Sequence, residues 1–175
     1  TDQLYNLSCS KIAQAFHARQ CEIWKIETEE EIRDRKSSRR NSLHNSEDKS
    51  DEEGKDIQYF ARYTDNQKII PFTKGGIVGD AIRSDKIDIN IESNIHHPFY
   101  DPEFDGEVDE PVFIHNINYK ESKFAVVLRG HNTYPIFLQS DIRKITKLSQ
   151  LFAISFTNSE AFTEIDNEIQ KNRIE

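Results

Sequence analysis

The sequence predicts an α+β domain that is built on an antiparallel sheet. Segments with the three- and four-residue spacing of helices lie near both ends of the chain. The shorter segments between them are rich in β-branched and aromatic residues, which is typical of strands. Strands and helices that are segregated along the chain in this way favour an antiparallel sheet with helices packed against it. The 175 residues are expected to form one such domain over 1–175.

The domain is expected to begin with a helix and a strand. Apolar residues recur at helical spacing over 4–17, which predicts the first helix. The segment 21–26 follows, and its β-branched and aromatic residues predict the first strand. Cys9 and Cys21 match no disulfide or metal framework, so we expect two small core residues in a reducing compartment such as the cytoplasm.

A polar insertion is predicted between the first two strands. Over 28–56, only Ile32 and Leu43 are large aliphatic residues. Such a stretch buries too little apolar surface to offset its chain entropy, so we expect a disordered, charged insertion. Two arginines precede Ser42 at the spacing that basophilic kinases recognise, which makes Ser42 a candidate phosphosite. The alternative is a solvated charged loop with no such role.

The middle of the chain is expected to supply the remaining strands and a short helix. Glycine-rich turn chemistry over 75–83 leads into the short helix. Residues 93–110 are irregular and contain two prolines. Five segments predict further strands: 57–63, 68–72, 87–91, 112–117 and 124–128.

A long helix is predicted over 141–173. Ser140 or Asp141 caps its start, and apolar residues then follow three- and four-residue steps. At 1.5 Å per residue this helix spans roughly 50 Å, which is longer than the domain needs. We expect its projecting half to pack on a second copy or to lead into a neighbouring domain. The missing Met at position 1 and the charged helical end predict a piece of a longer protein.

The composition excludes several classes of partner. A net charge of −8 and a pI of about 5.3 argue against nucleic-acid binding. No apolar run approaches the roughly 20 residues that a membrane-spanning helix needs, so no membrane partner is expected. The sequence shows no recognisable pair of a nucleophile and a nearby base, which predicts a domain that is not itself an enzyme. His96 and His97 suggest a metal, but their spacing matches no metal motif, and we expect no metal site.

Four stretches resemble the GAF family, and especially the GAF domains of cyclic-nucleotide phosphodiesterases. They keep the family's order and cover nearly the whole chain outside the insertion: Gly75–Arg83, Ile89–Ile91, His97–Tyr100 with Phe104 and Asp105, and Phe137–Asp141 followed by the helix that contains Leu151–Ser155. The resemblance implies a six-stranded antiparallel sheet with the terminal helices on one face and a lidded pocket on the other. It also implies a regulatory domain that dimerises through its terminal helices, within a parent protein that carries a catalytic domain such as a phosphodiesterase.

The same resemblance implies a ligand site. Ile77 and Val78, with Gly79 in the same turn, would present amides to the phosphate of cyclic GMP or cyclic AMP. Glycines allow the backbone to approach an anion, and the start of a helix offers free N–H groups. The alternative is that these glycines only form the turn into the helix. Tyr100 and Asp105 would line the lid.

Other positions depart from the nucleotide-binding pattern. Arg129 and Gly130 replace the family's Asn-Lys, Ile142 replaces the Glu after Asp141, and Val126 replaces an acidic residue. The contact that holds the family's last hairpin is therefore absent, although Arg129 could still pair with Asp141, a pair that contributes little if it is exposed. Two hypotheses follow. The chain is a ligand-binding regulatory domain, or it is a structural, protein-interaction domain with a degenerate pocket that binds no ligand.

Overall fold

The computed structural model describes residues 2–33, 57–64 and 67–172. Residues 29–33 are helical and follow directly on the first strand. The other elements, in chain order, are α1 (Asp2–Ala15), β1 (Ala18–Thr28), β2 (Gln58–Tyr63), β3 (Gln67–Pro71), α2 (Gly76–Arg83), β4 (Asp88–Ile91), α3 (Pro102–Asp105), β5 (Val112–Tyr119), β6 (Ser122–His131) and α4 (Gln139–Asn172).

The strands form the six-stranded antiparallel sheet that the sequence predicted. Their order is β3-β2-β1-β6-β5-β4, and each neighbouring pair is antiparallel. In the middle of the sheet, Trp24 of β1 lies opposite Arg62 of β2 on one side and Ala125 of β6 on the other. Because side chains alternate between the two faces of a strand, residues in such a row share one face of the sheet.

Helices cover both faces of the sheet and enclose two apolar clusters. The helix-side cluster lies under α1 and α4, and its largest members are Tyr5, Phe16, Tyr63, Phe113, Phe124, Phe137 and Phe156. The site-side cluster lies under α2 and α3, and its largest members are Trp24, Phe60, Ile70, Ile77, Ile82 and Phe104. Cys9 and Cys21 are free and buried in the helix-side cluster, as predicted. Burial raises the pKa of the Cys21 thiol well above its usual value.

The first strand is longer than the sequence predicted. The expected strand covered 21–26, whereas β1 runs from Ala18 to Thr28. It is extended by its partners on both sides, because Ala18 pairs with His131 of β6 and Thr28 pairs with Gln58 of β2. Residues 29–33, which were expected to belong to the disordered insertion, are helical. The rest of it, with the candidate phosphosite Ser42, lies outside the described residues.

The predicted long helix is present as α4, which has 34 residues. Its buried residues, with Ile145, Ala153 and Phe156 the most enclosed, face the sheet. At a rise of 1.5 Å per residue the helix is about 50 Å long. Several of its other apolar residues are exposed, among them Leu151 and Ile165.

Candidate functional site

Two glycines form the turn that leads into α2. Gly75 and Gly76 have φ angles of 111° and 61°, left-handed conformations that favour glycine. The first N–H groups of a helix have no partner within it, so the amide of Ile77 donates outside the helix. It donates to Oδ2 of Asp105 at 3.1 Å. A Cβ on Gly76 would lie 2.3 Å from that oxygen, and glycine is therefore required for this approach.

Asp105, the last residue of α3, is 1 % exposed and holds the lid (residues 93–110) against α2 and the sheet. Its Oδ2 also accepts from the amide of Asp101 at 3.0 Å, and its Oδ1 accepts from Arg129 at 3.4 Å. Burial raises the pKa of the Asp105 carboxyl, and the hydrogen bonds from Asp101 and Ile77 and the Arg129 charge oppose this rise. The carboxylate of Asp105 thus occupies the position at the start of α2 where an anionic ligand would bind.

Arg129 joins this carboxylate to a second one on β1. Its guanidinium is 2 % exposed, and its Nε and Nη2 donate to the two oxygens of Glu22 at 3.0 and 3.3 Å. Nη2 also donates to the carbonyl of Phe104 at 3.2 Å, and the indole of Trp24 donates to Glu22 at 2.9 Å. Although burial acts to lower it, the two carboxylates raise the pKa of Arg129. We call Glu22, Arg129 and Asp105 the buried charge cluster.

The pairing that the sequence suggested for Arg129 requires a correction. Arg129 binds Glu22 and Asp105 instead of Asp141. Along β6, Leu128 belongs to the helix-side cluster, so its neighbour Arg129 faces the other side of the sheet. Asp141 lies at the start of α4, on the helix side, with a carboxylate oxygen 3.9 Å from Nε2 of His131.

Some of the predicted ligand residues lie together in the structure, and others are buried or hydrogen-bonded elsewhere. Ile77 and Asp105 are in contact, and Tyr100 lies in the same lid, where its hydroxyl donates to the carbonyl of Gly106 at 2.5 Å. Val78 is a buried member of the site-side cluster. The amide of Gly79 donates to the carbonyl of Gly75 at 3.0 Å, so this amide is already used within the turn.

Aromatic side chains fill the space between the sheet and α2. Trp24 and Phe60 make an edge-on contact with ring centroids 5.5 Å apart, and Phe60 contacts Phe72 at 5.0 Å. Phe104 of the lid closes the same cluster. These bulky side chains occupy the space beneath α2 and α3.

A polar cleft of about 190 Å³ opens beside the buried charge cluster. Its walls come from β1, β2, β6 and the lid, and its lining residues are Arg19, Gln20, Glu22, Arg62, Glu103, Phe104, Asp105, Gly106 and Arg129. Sequence analysis identified Asp105 and Arg129 but missed Glu22 and Arg62. Little in the sequence marks these two residues, because β1 carries several other charged residues and only the tertiary structure shows which of them lie beside the cleft.

His97 and His115 make local structural contacts. Nδ1 of His97 accepts from the amide of Phe99 at 3.2 Å, and His115 is buried and paired with Asp88. Within the described ranges, His, Cys, Asp and Glu side chains form no group of three or more that is arranged to hold a metal ion. Nor does any helix in the described part of the chain have the length and apolar character needed to cross a membrane.

Comparison with known proteins supports the fold. No protein-family model matches the sequence, and the search of curated proteins gives no significant match. The structure is similar to that of the GAF domain from a phosphoenolpyruvate-protein phosphotransferase of Coxiella burnetii, with a TM-score of 0.59 and 15 % sequence identity. The similarity covers 93 % of this chain and 86 % of that one. The chain therefore has a GAF-like α+β fold, with a six-stranded antiparallel sheet between two layers of helices.

Proposed function

We propose that this chain is a non-catalytic regulatory domain of a larger signalling protein, and that it acts by pairing with a second copy of itself through α4. The similar solved domain is likewise one part of a larger protein, a phosphotransferase, which supports a role as a module. The resemblance to the GAF domains of phosphodiesterases supports this proposal only through the shared fold.

The exposed apolar stripe of α4 carries the proposal. Its members are Leu148, Leu151, Ile154, Ile165 and Ile169, which are 37, 59, 37, 58 and 46 % exposed. At about 100° per residue the last four lie on the side of α4 opposite its buried residues, and Leu148 lies at the edge of that side. One face of this helix therefore packs on the sheet, and the other presents apolar side chains to a partner.

The spacing of the stripe favours a second copy as that partner. Leu148 and Leu151 are three residues apart, Ile165 and Ile169 are four apart, and 14 residues separate Leu151 from Ile165. These distances fit two whole heptads, so the four residues take the positions that form the seam of a coiled coil. The seam positions between these pairs include Ser155 and Asn158, so apolar contacts with an identical helix would form two short stretches along α4.

The lid side of the domain argues against nucleotide binding. The amide that would hold a cyclic phosphate is bonded to Asp105, and aromatic side chains fill the space for a base. The residues therefore fit a cyclic nucleotide poorly. Calorimetric titration with cyclic GMP and cyclic AMP is expected to give no heat, and saturable binding of either would favour the alternative hypothesis.

The experiment that tests the proposal is a measurement of molar mass by light scattering as the protein concentration is raised. We expect a dimer, and we expect Leu151→Asp combined with Ile165→Asp to give a monomer with unchanged circular dichroism. The matched control is Val108→Asp, which places a charge on an equally exposed apolar residue of the lid and should leave the dimer intact. A wild-type chain that stays monomeric at several hundred micromolar would overturn the proposal.

A further inference from the structure

One edge of the sheet is formed by β4, whose outer side has no strand neighbour in the described part of the chain. On its inner side, the amide of Asn116 in β5 donates to the carbonyl of Ile87 at 2.8 Å. In an antiparallel pair, such hydrogen-bonded positions alternate with positions whose backbone groups point away from the partner. The N–H and C=O groups of Asp88 and Asn90 therefore point outward, and both residues are exposed.

The side chains of β4 alternate between an apolar row and a polar row. The apolar row lies on the face of the site-side cluster and consists of Ile87, Ile89 and Ile91. Ile89 and Ile91 are half-buried against that cluster, and Ile87 is 68 % exposed. Asp88 lies in the polar row, where it is paired with His115. An added strand could therefore continue the apolar cluster on one face and meet polar groups on the other.

The chain around this edge is rich in negative charge. Between Lys86 and Lys120 it has eight acidic residues and no lysine or arginine. Glu92 directly follows β4 and is exposed. Asp109 accepts from the hydroxyl of Ser93 at 2.5 Å, which places a second carboxylate near the same end of the strand. Opposite charges on neighbouring strands attract, so this edge favours a strand that carries basic side chains.

A second copy of the chain is a poor occupant of this edge. Antiparallel pairing of two β4 strands about Asn90 would put Asp88 of one copy opposite Glu92 of the other, and like charges in that position destabilise a sheet. The opposite edge of the sheet, β3, carries Lys68 and ends at Pro71, residues that typically protect an edge from further pairing. In β4 neither residue type is present, and its acidic charge excludes only an acidic neighbour.

We propose that the outer edge of β4 binds an extended segment of a partner protein in which basic and apolar residues alternate. The backbone of the segment bonds to Asp88 and Asn90 and extends the sheet by one strand. Its apolar side chains pack beside the apolar row of β4, and its basic side chains face Asp88 and Glu92. This interaction goes beyond the proposed function and does not depend on pairing through α4.

The test is the binding of a short, fluorescent, end-capped peptide of alternating lysine and valine, measured by anisotropy at a fixed ionic strength. We expect saturable binding, with about tenfold weaker binding of a peptide that has glutamate in place of lysine. Hydrogen exchange followed by NMR locates the complex, because the outward amides of Asp88 and Asn90 should exchange more slowly when the peptide is bound. The combined Leu151→Asp and Ile165→Asp variant should bind the peptide as the wild type does.

Variants of Asn90 separate the backbone from the side chain. Asn90→Pro removes an outward N–H but no hydrogen bond of the sheet, since proline is tolerated where the N–H of an edge strand faces solvent, and it should abolish binding. Asn90→Ala is the matched control, because it also loses the side-chain bond to the carbonyl of Phe137 but keeps the N–H, and it should bind normally. Glu92→Lys should weaken binding about fivefold, and it provides a readout if Asn90→Pro does not fold.

Four results would overturn the proposal. The first two are no saturable binding of the lysine-valine peptide and equal binding of the glutamate peptide. The third is binding that leaves the exchange of both amides unchanged or that persists in Asn90→Pro. The fourth is a dimer that survives the combined Leu151→Asp and Ile165→Asp change and is lost with Asn90→Pro, which would make a second copy the occupant of the edge.

Discussion

The amide of Ile77 donates a hydrogen bond of 3.1 Å to the carboxylate of Asp105, 28 residues further along the chain. This contact joins the start of α2 to the end of α3, and Arg129 continues it to β6 in the sheet. A protein carboxylate thus satisfies a helix N-terminus that commonly binds anionic ligands. Three predictions test what this arrangement contributes to stability.

Gly76→Ala should destabilise the domain by about 2–4 kcal/mol. The new Cβ would meet Oδ2 of Asp105 at 2.3 Å, and the φ of 61° is strained for alanine. Urea unfolding measures the change. In an Asp105→Ala background the clash is gone, so the same substitution should cost only the backbone strain of about 1–2 kcal/mol. Equal costs in the two backgrounds would show that the contact with Asp105 is unimportant.

Asp105 should make stability depend on pH in a defined direction. Burial raises the pKa of this carboxyl in the folded state above its ordinary 3.8, so between these two values the folded chain binds more protons than the unfolded chain. The contribution of Asp105 to stability is therefore largest below pH 3.8 and falls as the pH rises through the folded pKa. The free energy of unfolding of the wild type, minus that of Asp105→Asn, should decline with rising pH and then level off.

Urea titrations of both proteins between pH 3.5 and pH 8 measure this difference, since the other carboxylates are common to both and cancel. A difference that grows with pH would mean that Arg129 and the two amides outweigh burial and lower the pKa of Asp105.

Arg129→Met should destabilise the domain by about 3–5 kcal/mol, because it leaves the carboxylates of Glu22 and Asp105 buried without a cation. The exposed Arg143 gives a matched control, and its change to Met should alter stability by less than about 0.5 kcal/mol. Adding Glu22→Gln and Asp105→Asn to Arg129→Met should recover much of the loss. A triple variant as unstable as Arg129→Met alone would show that Arg129 acts through its packing rather than its charge.

Local sequence patterns predicted most of the secondary structure and its order, but they missed the helical residues 29–33 and the short helix α3 (Pro102–Asp105). Alternating apolar residues and turn chemistry are properties of short segments, and so the strands of the second half, the glycine-rich start of α2 and the long α4 lie close to their predicted positions. The predicted ends of a strand were less accurate where neighbouring strands extend it. Ala18 and Thr28 belong to β1 because strands on both sides supply hydrogen bonds, which the segment itself does not encode.

The sequence by itself determined which side chains are charged and which strand each one occupies. Only the tertiary structure decided their partners, since an ion pair depends on which face of the sheet a residue takes and on what covers that face. Arg129 and Asp141 are close in sequence but lie on opposite sides of the sheet, whereas Arg129 and Glu22 are 107 residues apart and in contact.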